Sequence, residues 1–404
     1  MRRFICLVFI CVCILWPFAL QAADWPQFLG PNANGFSSEK GINKDWSKDP
    51  PKQLWSVPMS DDGYAGPSVA NGMVFIIDHN GSKDVVTATN INTGKPVWEY
   101  SYDDSDKANY GFARSTPTVN EGKVYTCSRF CVINCLDAKT GKKIWTRDIF
   151  KDFNGQKPEW NYAMSPVIDG NKVIVCPGGP IASVVALDKK TGKNIWKGGS
   201  ESVSYATPAI VTIGGKRQYV IAGGTSIFSI DAKSGTQLWS IPWKTKYDIN
   251  GAVPILIGNK LFISSGYGHG SCLIEVSGDS AKILWENTDL QARFSTPLLV
   301  SGYIYGTEDS GSLVCMDPKD GKVLWKQKGF EWGASIWIDG VILVFDGKKG
   351  DLVMVKPSPE KYEELGRFTP LGGQSWTAPI VANGKLIVRN KTALACFDIL
   401  DSKK

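Results

Sequence analysis

The stretch Leu136-Asp137-Ala138-Lys139-Thr140-Gly141-Lys142-Lys143-Ile144-Trp145 decides how this chain folds, because its second half recurs along the sequence. The copies are Thr93-Gly94-Lys95-Pro96-Val97-Trp98, Thr191-Gly192-Lys193-Asn194-Ile195-Trp196, Ser234-Gly235-Thr236-Gln237-Leu238-Trp239, Ser280-Ala281-Lys282-Ile283-Leu284-Trp285 and Asp320-Gly321-Lys322-Val323-Leu324-Trp325. Subtracting residue numbers, successive tryptophans lie 47, 51, 43, 46 and 40 residues apart. That period suits a four-stranded blade and is too long for a leucine-rich repeat. An Asp opening the phrase can bond backbone two residues on, and Gly supplies positive φ at the end of the turn, so each phrase reads as a hairpin between third and fourth strands. In the fourth strand an aliphatic residue and the tryptophan are neighbours and point to opposite faces. Both faces are therefore expected to be covered, as they would be in blades packed radially between two others.

A second signature sets the count. A small residue or Thr precedes Pro at Ala65-Gly66-Pro67, Ser115-Thr116-Pro117, Met164-Ser165-Pro166, Ala206-Thr207-Pro208, Ala252-Val253-Pro254, Ser295-Thr296-Pro297 and Thr377-Ala378-Pro379, with Gly333-Ala334-Ser335 as an eighth, altered copy. Proline at the start of a strand leaves the ladder intact, so these mark first strands. Trp55 stands 43 residues before Trp98, and Phe368 stands 43 after Trp325, which gives eight tryptophan-end positions as well. The expected fold is an all-β, eight-bladed propeller of four-stranded antiparallel blades. A lone N-terminal strand, Gln53 to Pro58, would pair with the three strands of the C-terminal blade and close the ring.

Of the 404 residues, 1–22 read as a cleaved signal peptide: Arg2 and Arg3, an apolar run from Phe4 to Leu15, and a small-residue exit at Ala22 or Ala23. The cysteines of that stretch have bulky neighbours, so no lipidation motif is evident. A periplasmic or secreted chain without a transmembrane span is expected. Residues 23–51 are expected to form an extended N-terminal segment and 52–404 the propeller. The formal charge of +6 falls to +4 without Arg2 and Arg3, and no Lys/Arg run occurs, so nucleic acid is not expected as a partner.

The phrase Leu/Ile-Asp-x-x-Thr-Gly-Lys-x-x-Trp resembles the tryptophan-docking motif of the PQQ-like β-propeller superfamily, over nearly the whole stretch from Trp55 to Ile399. Within it, the BamB-like propellers of outer-membrane assembly carry the blade motif without a cofactor. The quinoprotein dehydrogenases add pyrroloquinoline quinone and calcium over the channel, with a vicinal disulfide and, in some, a haem site. The segment Trp25-Pro26-Gln27-Phe28-Leu29-Gly30-Pro31-Asn32 is similar to the opening of secreted PQQ-like repeat proteins. This sequence has neither adjacent cysteines nor Cys-x-x-Cys-His. The resemblance therefore implies a non-catalytic, monomeric binding or scaffold propeller with no catalytic residue, metal or cofactor. Its partner would be a protein, or a glycan or small molecule, at the rim. The alternatives are a PQQ- and calcium-dependent alcohol or sugar dehydrogenase, and a glycan-binding propeller.

Read against the repeat, the tryptophans Trp55, Trp98, Trp145, Trp196, Trp239, Trp285 and Trp325 are expected to dock blades together. Cys135, Cys315 and Cys396 fall ten residues before a tryptophan, or at the matching place in the last unit, where other units have Ala or Ser. Most of the seven cysteines beyond residue 22 are thus expected as small core residues; a disulfide among Cys127, Cys131 and Cys135 stays open. Glu275 in that slot signals a local register change. His79 and His269 sit in Gly-rich connections, and Asp103-Asp104-Ser105-Asp106 reads as a solvated acidic loop. The candidate ligand site is one mouth of the channel. Three residues before each Pro position stand Tyr64, Arg114, Ala163, Tyr205, Gly251, Phe294, Trp332 and Trp376. One earlier stand Tyr162, Asn250, Arg293 and Glu331 among others. Aromatics with a few polar groups are how small-molecule or glycan sites are built, although the same residues could simply fill the channel.

Overall fold

The computed structural model describes residues 23–106 and 109–401; the expected signal segment lies outside them. Eight four-stranded blades follow one another around a ring, and within each the strands run antiparallel in chain order from the channel outward. The blades occupy 68–103, 118–148, 167–198, 209–242, 255–287, 298–328 and 335–368, and the eighth is 380–398 with the outermost strand Lys52–Pro58. That strand pairs antiparallel with Ala393–Asp398, so the last blade is completed from the opposite end of the chain and the ring is closed. Among the described residues helix is limited to single turns, Ile149–Asp152 and a 3-10 turn at Lys246–Asp248, and none is long and apolar enough to cross a membrane.

Tryptophan and turn lock neighbouring blades. Each turn glycine is at positive φ, and the indole of the preceding blade lies flat on it. A Cβ at Gly94, Gly141, Gly192 or Gly235 would stand 2.9, 2.6, 2.9 or 2.7 Å from Trp55, Trp98, Trp145 or Trp196. The indole N–H groups of Trp55, Trp98, Trp145, Trp285 and Trp325 donate to the carbonyls of Ile91, Ala138, Lys189, Pro318 and Ser358 in the next blade. Glycine is needed there for contact as much as for backbone conformation.

The Ser/Thr-Pro signature has its own bonding. Ser165 Oγ accepts from the Thr116 N–H, Thr207 Oγ1 from Ser165, and Thr296 Oγ1 from Val253, each across a blade boundary. The hydroxyls stitch first strands together around the channel and satisfy amides that have no ladder partner.

Four expectations need correction. The aliphatic residue before the tryptophan is not covered in five of the seven cases: Leu54, Val97, Ile144, Ile195 and Leu284 are between 40% and 51% exposed, because there only the tryptophan side of the outermost strand meets a neighbour, whereas Leu238 and Leu324 are partly covered. Phe368 is not the eighth docking position, since it pairs with Leu352, whereas Gly366 faces Met354 beyond the bulge where other blades carry tryptophan. Trp46, from the N-terminal segment, fills that place. Its Cβ lies 3.2 Å from where a Cβ of Gly366 would be, and its ring packs edge-on against Phe368 at 5.0 Å. The acidic loop is not solvated throughout: Asp104 is buried and bonds Arg129 at 2.5 and 2.7 Å. His79 is no loop residue but the penultimate residue of the strand Met73–Asn80, buried against Asp84.

Glu275 is a register change. Leu273 rather than Glu275 faces Trp285, so this hairpin is two residues longer than those that end at Trp98, Trp145, Trp196, Trp239 and Trp325, and Glu275 pairs with Lys282 at 3.1 Å. All seven described cysteines are free and buried. Cys135, Cys315 and Cys396 face Trp145, Trp325 and Trp55 across the outer strand pair. Burial pushes the Cys135 and Cys315 thiols up to about 11, which keeps them protonated and inert at neutral pH.

Candidate functional site

The N-terminal segment is not a loose tail. Trp25 bridges Val69 of the first blade, the Val119 N–H donates to Pro26, and the Trp337 N–H donates to Gly35. Phe36–Ser37 then adds a parallel strand to the seventh blade. The segment thus crosses the end of the channel opposite the residues that precede the Pro signatures. With Trp25, Phe28 and Leu29 as its floor, the channel becomes a cup of about 460 Å³. A second hollow of about 710 Å³ lies on the other side of the segment.

The wall follows from strand alternation. Seven of the eight positions three before the Pro signature line the cup: Tyr64, Arg114, Ala163, Tyr205, Gly251, Phe294 and Trp376. The eighth, Trp332, stands behind Trp376 in edge contact at 5.7 Å. Of the positions one residue earlier only Arg293 reaches the cup, because the alternate face of the chain points into the blades. Tyr162 is buried and its hydroxyl donates to the Pro177 carbonyl at 2.6 Å. Asn250 donates to Gly223 and accepts from Ser265. Glu331 forms an outer ion pair with Lys348 at 3.3 Å. These three belong to the scaffold and not to the cup wall.

Tyr64 stacks on Trp376 at 4.8 Å and 21°, and Phe294 on Trp376 at 5.3 Å and 30°. Around the rim Tyr205 meets Trp160, Trp160 meets Tyr247, and Tyr247 meets Tyr267. The Arg293 guanidinium sits 4.1 Å from Tyr267 and 5.1 Å from Trp332, which joins this series to Trp376. Four rim aromatics hold positive φ: Tyr110 at 65°, Tyr247 at 64°, Tyr267 at 59° and Trp332 at 53°. Each costs about 1–2 kcal/mol, and such strain concentrates where a site must be held in shape.

The two arginines differ. Arg293 Nε donates to the Asp309 carboxylate at 2.6 Å, so its charge is met within the protein. Among the described residues Arg114 donates to the Asn109 and Gly111 carbonyls and has no carboxylate in contact. Burial first, and then repulsion from Arg129, pull its guanidinium below its usual value. Burial also raises the Tyr205 hydroxyl to about 12, so the tyrosine is neutral. Among the described residues no Asp, Glu, Asn or Gln lines the cup.

The model for the outer membrane protein assembly factor BamB matches residues 44–116 and 82–327, more than half of the sequence. The chain belongs to this family. A BamB of Moranella endobia is 24% identical over 283 residues, 63% of this chain and 68% of that protein. A quinoprotein ethanol dehydrogenase of Pseudomonas aeruginosa is 28% identical over 209 residues, 47% of this chain but only 32% of that protein. Among solved structures, BamB from Moraxella catarrhalis superposes with a TM-score of 0.62 at 17% identity, covering 86% of this chain and 99% of that one. Quinohemoprotein alcohol dehydrogenase from Comamonas testosteroni gives 0.69 at 16%, covering 93% and 80%. At such identities the solved structures speak for the fold alone, here the PQQ-like propeller.

The dehydrogenase relatives raise the question of quinone and calcium. Calcium takes six to eight oxygen ligands, carboxylates foremost. The cup offers no carboxylate or amide side chain, and among the described residues no three His, Cys, Asp or Glu converge. Its donor set does not fit a calcium–quinone pair.

Sequence reasoning missed the floor (Trp25, Phe28, Leu29) and the rim residues Tyr110, Trp160 and Tyr267. The floor left a signal, an apolar run ahead of the first blade with no strand pattern. The rim residues sit in connections of unequal length that the repeat cannot align.

Proposed function

We propose that this chain is a non-catalytic, monomeric binding propeller of the cell envelope that takes a small ligand in the channel cup and serves as a scaffold there. One observation carries this reading: the cup is aromatic, floored and cationic, yet has no carboxylate or amide to hold a metal or accept a proton. General acid–base or metal-assisted chemistry needs such groups within reach of the substrate. The kinship with outer membrane assembly factors supports the envelope location and a partner protein. The expected signal at 1–22 supports export. Tyr64, Arg114, Tyr205, Arg293, Phe294 and Trp376 are the residues assigned to the ligand, with Trp332 as support.

The test adds pyrroloquinoline quinone and calcium to the purified protein and follows melting together with dye-linked alcohol oxidation. No stabilisation and no turnover are expected. Calcium-dependent turnover would sink the proposal and restore the dehydrogenase alternative.

A further inference from the structure

We infer that the cup selects a small monocarboxylate with a flat apolar body, an aryl or indolyl monocarboxylate, held with its carboxylate on Arg114. The inference rests on the binding-module reading and names the ligand class for the same cup.

Charge comes first. The cup wall holds two guanidinium groups, and Asp309 already neutralises that of Arg293. Arg114 is left as the cation with no carboxylate in direct contact among the described residues; it is half-buried, repelled by Arg129 and offset by Asp61 only from a distance. A desolvated cation lacking a counter-charge is costly, and an anion arriving from solvent relieves that cost. One unmatched positive charge calls for one negative charge. A tricarboxylate in the same place would leave two carboxylates desolvated with nothing to meet them.

The body of the ligand follows from the wall. The stacked Tyr64, Trp376 and Phe294 rings form a platform beside Arg114, and flat rings stack on such surfaces at comparable spacings. Polyhydroxylated ligands are disfavoured for a specific reason. Several wall hydroxyls are already engaged: Ser165, Thr207 and Thr296 accept backbone N–H groups, and Thr377 donates to the Tyr64 carbonyl, which leaves the single hydroxyls of Thr116, Ser335, Tyr110 and Tyr267 to meet a ligand. With no Asp, Glu, Asn or Gln among the described wall residues to meet them in pairs, most hydroxyls of a sugar would enter and lose their partners. The floor of Trp25, Phe28 and Leu29 also means the ligand must end in the cup instead of threading the ring. A volume of about 460 Å³ falls within the range of small-molecule sites.

The experiment titrates the full chain with 2-naphthoate, following calorimetry and tryptophan fluorescence. Three competitors run in parallel: the neutral analogue 2-naphthalenemethanol, glucuronate, and benzene-1,3,5-tricarboxylate. Saturable binding of 2-naphthoate with quenching of indole emission is expected, with the neutral alcohol weaker by about tenfold or more. Glucuronate and the tricarboxylate are expected to bind more weakly still. Arg114→Gln is expected to reduce naphthoate affinity at least about tenfold while leaving the alcohol unchanged. Arg114 also anchors its own loop, so the melting of the unliganded variant is compared with the parent. The alcohol comparison on the parent protein tests the charge without any substitution. No binding of naphthoate, equal binding of acid and alcohol, or tighter binding of glucuronate or the tricarboxylate would each overturn the inference. Those failures remove only the ligand class; quinone- and calcium-dependent turnover removes the binding-module reading itself.

Discussion

Gly141 shows how much one missing methyl group can carry. Its φ of 70° matches the 71° of Gly122, but a Cβ at Gly122 would meet nothing within 4 Å, whereas one at Gly141 would stand 2.6 Å from the Trp98 ring. Gly122→Ala is expected to cost only the backbone term, about 1 kcal/mol. Gly141→Ala adds the displaced indole and is expected to cost roughly 2–4 kcal/mol. Denaturant unfolding of both variants separates the terms, and equal losses would show that the indole contact contributes nothing. Asp84 offers a second handle. It is buried against His79, and desolvation raises its carboxyl to about 6. A carboxyl raised in the folded state favours folding most below its unfolded pKa and loses that contribution as pH rises through about 6. Asp84→Asn removes the titration, so its stability relative to the parent should rise between pH 4 and pH 7, by up to about 3 kcal/mol. A pH-independent difference would reject that assignment. Alternation made the cup wall legible at this scale, since residues three before each Pro signature share a side. It also explains the error at Tyr162 and Asn250, whose side chains alternate into the blades and complete hydrogen bonds there.

Among elements, the seventh blade is the informative one because it lacks its own docking tryptophan. Trp46, buried and packed over Gly366 and Phe368, takes the place of that side chain from a segment more than three hundred residues away in sequence. Trp46→Ala is expected to destabilise the protein by about 3–5 kcal/mol, as for other large buried aromatics. Gly366 is not among the positive-φ residues, so Gly366→Trp in the Trp46→Ala background should recover part of the loss. Failure to recover any of it, measured by thermal or denaturant unfolding, would mean that Trp46 does not replace the missing indole. Periodicity could not reveal this substitution. A repeat reports what each unit does for itself, and the N-terminal segment contributes to units from outside their register. The same limit hid the floor of the cup, since Trp25, Phe28 and Leu29 are placed by contacts with several blades and by no strand pattern of their own.

For the whole molecule, closure was legible because a lone tryptophan-bearing strand at one end and an incomplete blade at the other admit one pairing. Lys52–Pro58 lies on Ala393–Asp398, with Trp55 opposite Cys396. Burial pushes the Cys396 thiol up to about 12, so in the closed ring it should resist alkylation until the protein unfolds. A chain beginning at Met59 should expose that edge, label rapidly at Cys396 and melt at lower temperature; an unreactive thiol would show that the seam is dispensable. The seam also sets an order in time. The paired residues Pro58 and Ala393 are 335 apart by subtraction, so the strand Lys52–Pro58 finds its partner only after nearly the whole chain has been synthesised. Contacts of such separation form late, and until then Lys52–Pro58 cannot be committed to a finished blade. Once the last strand arrives, the segment carrying Trp25 and Phe28 is tethered to a completed ring through Lys52–Pro58 and held across the channel by its own bonds to the blades. The completed protein should therefore lose its structure slowly, on a clock set by the opening of one strand pair.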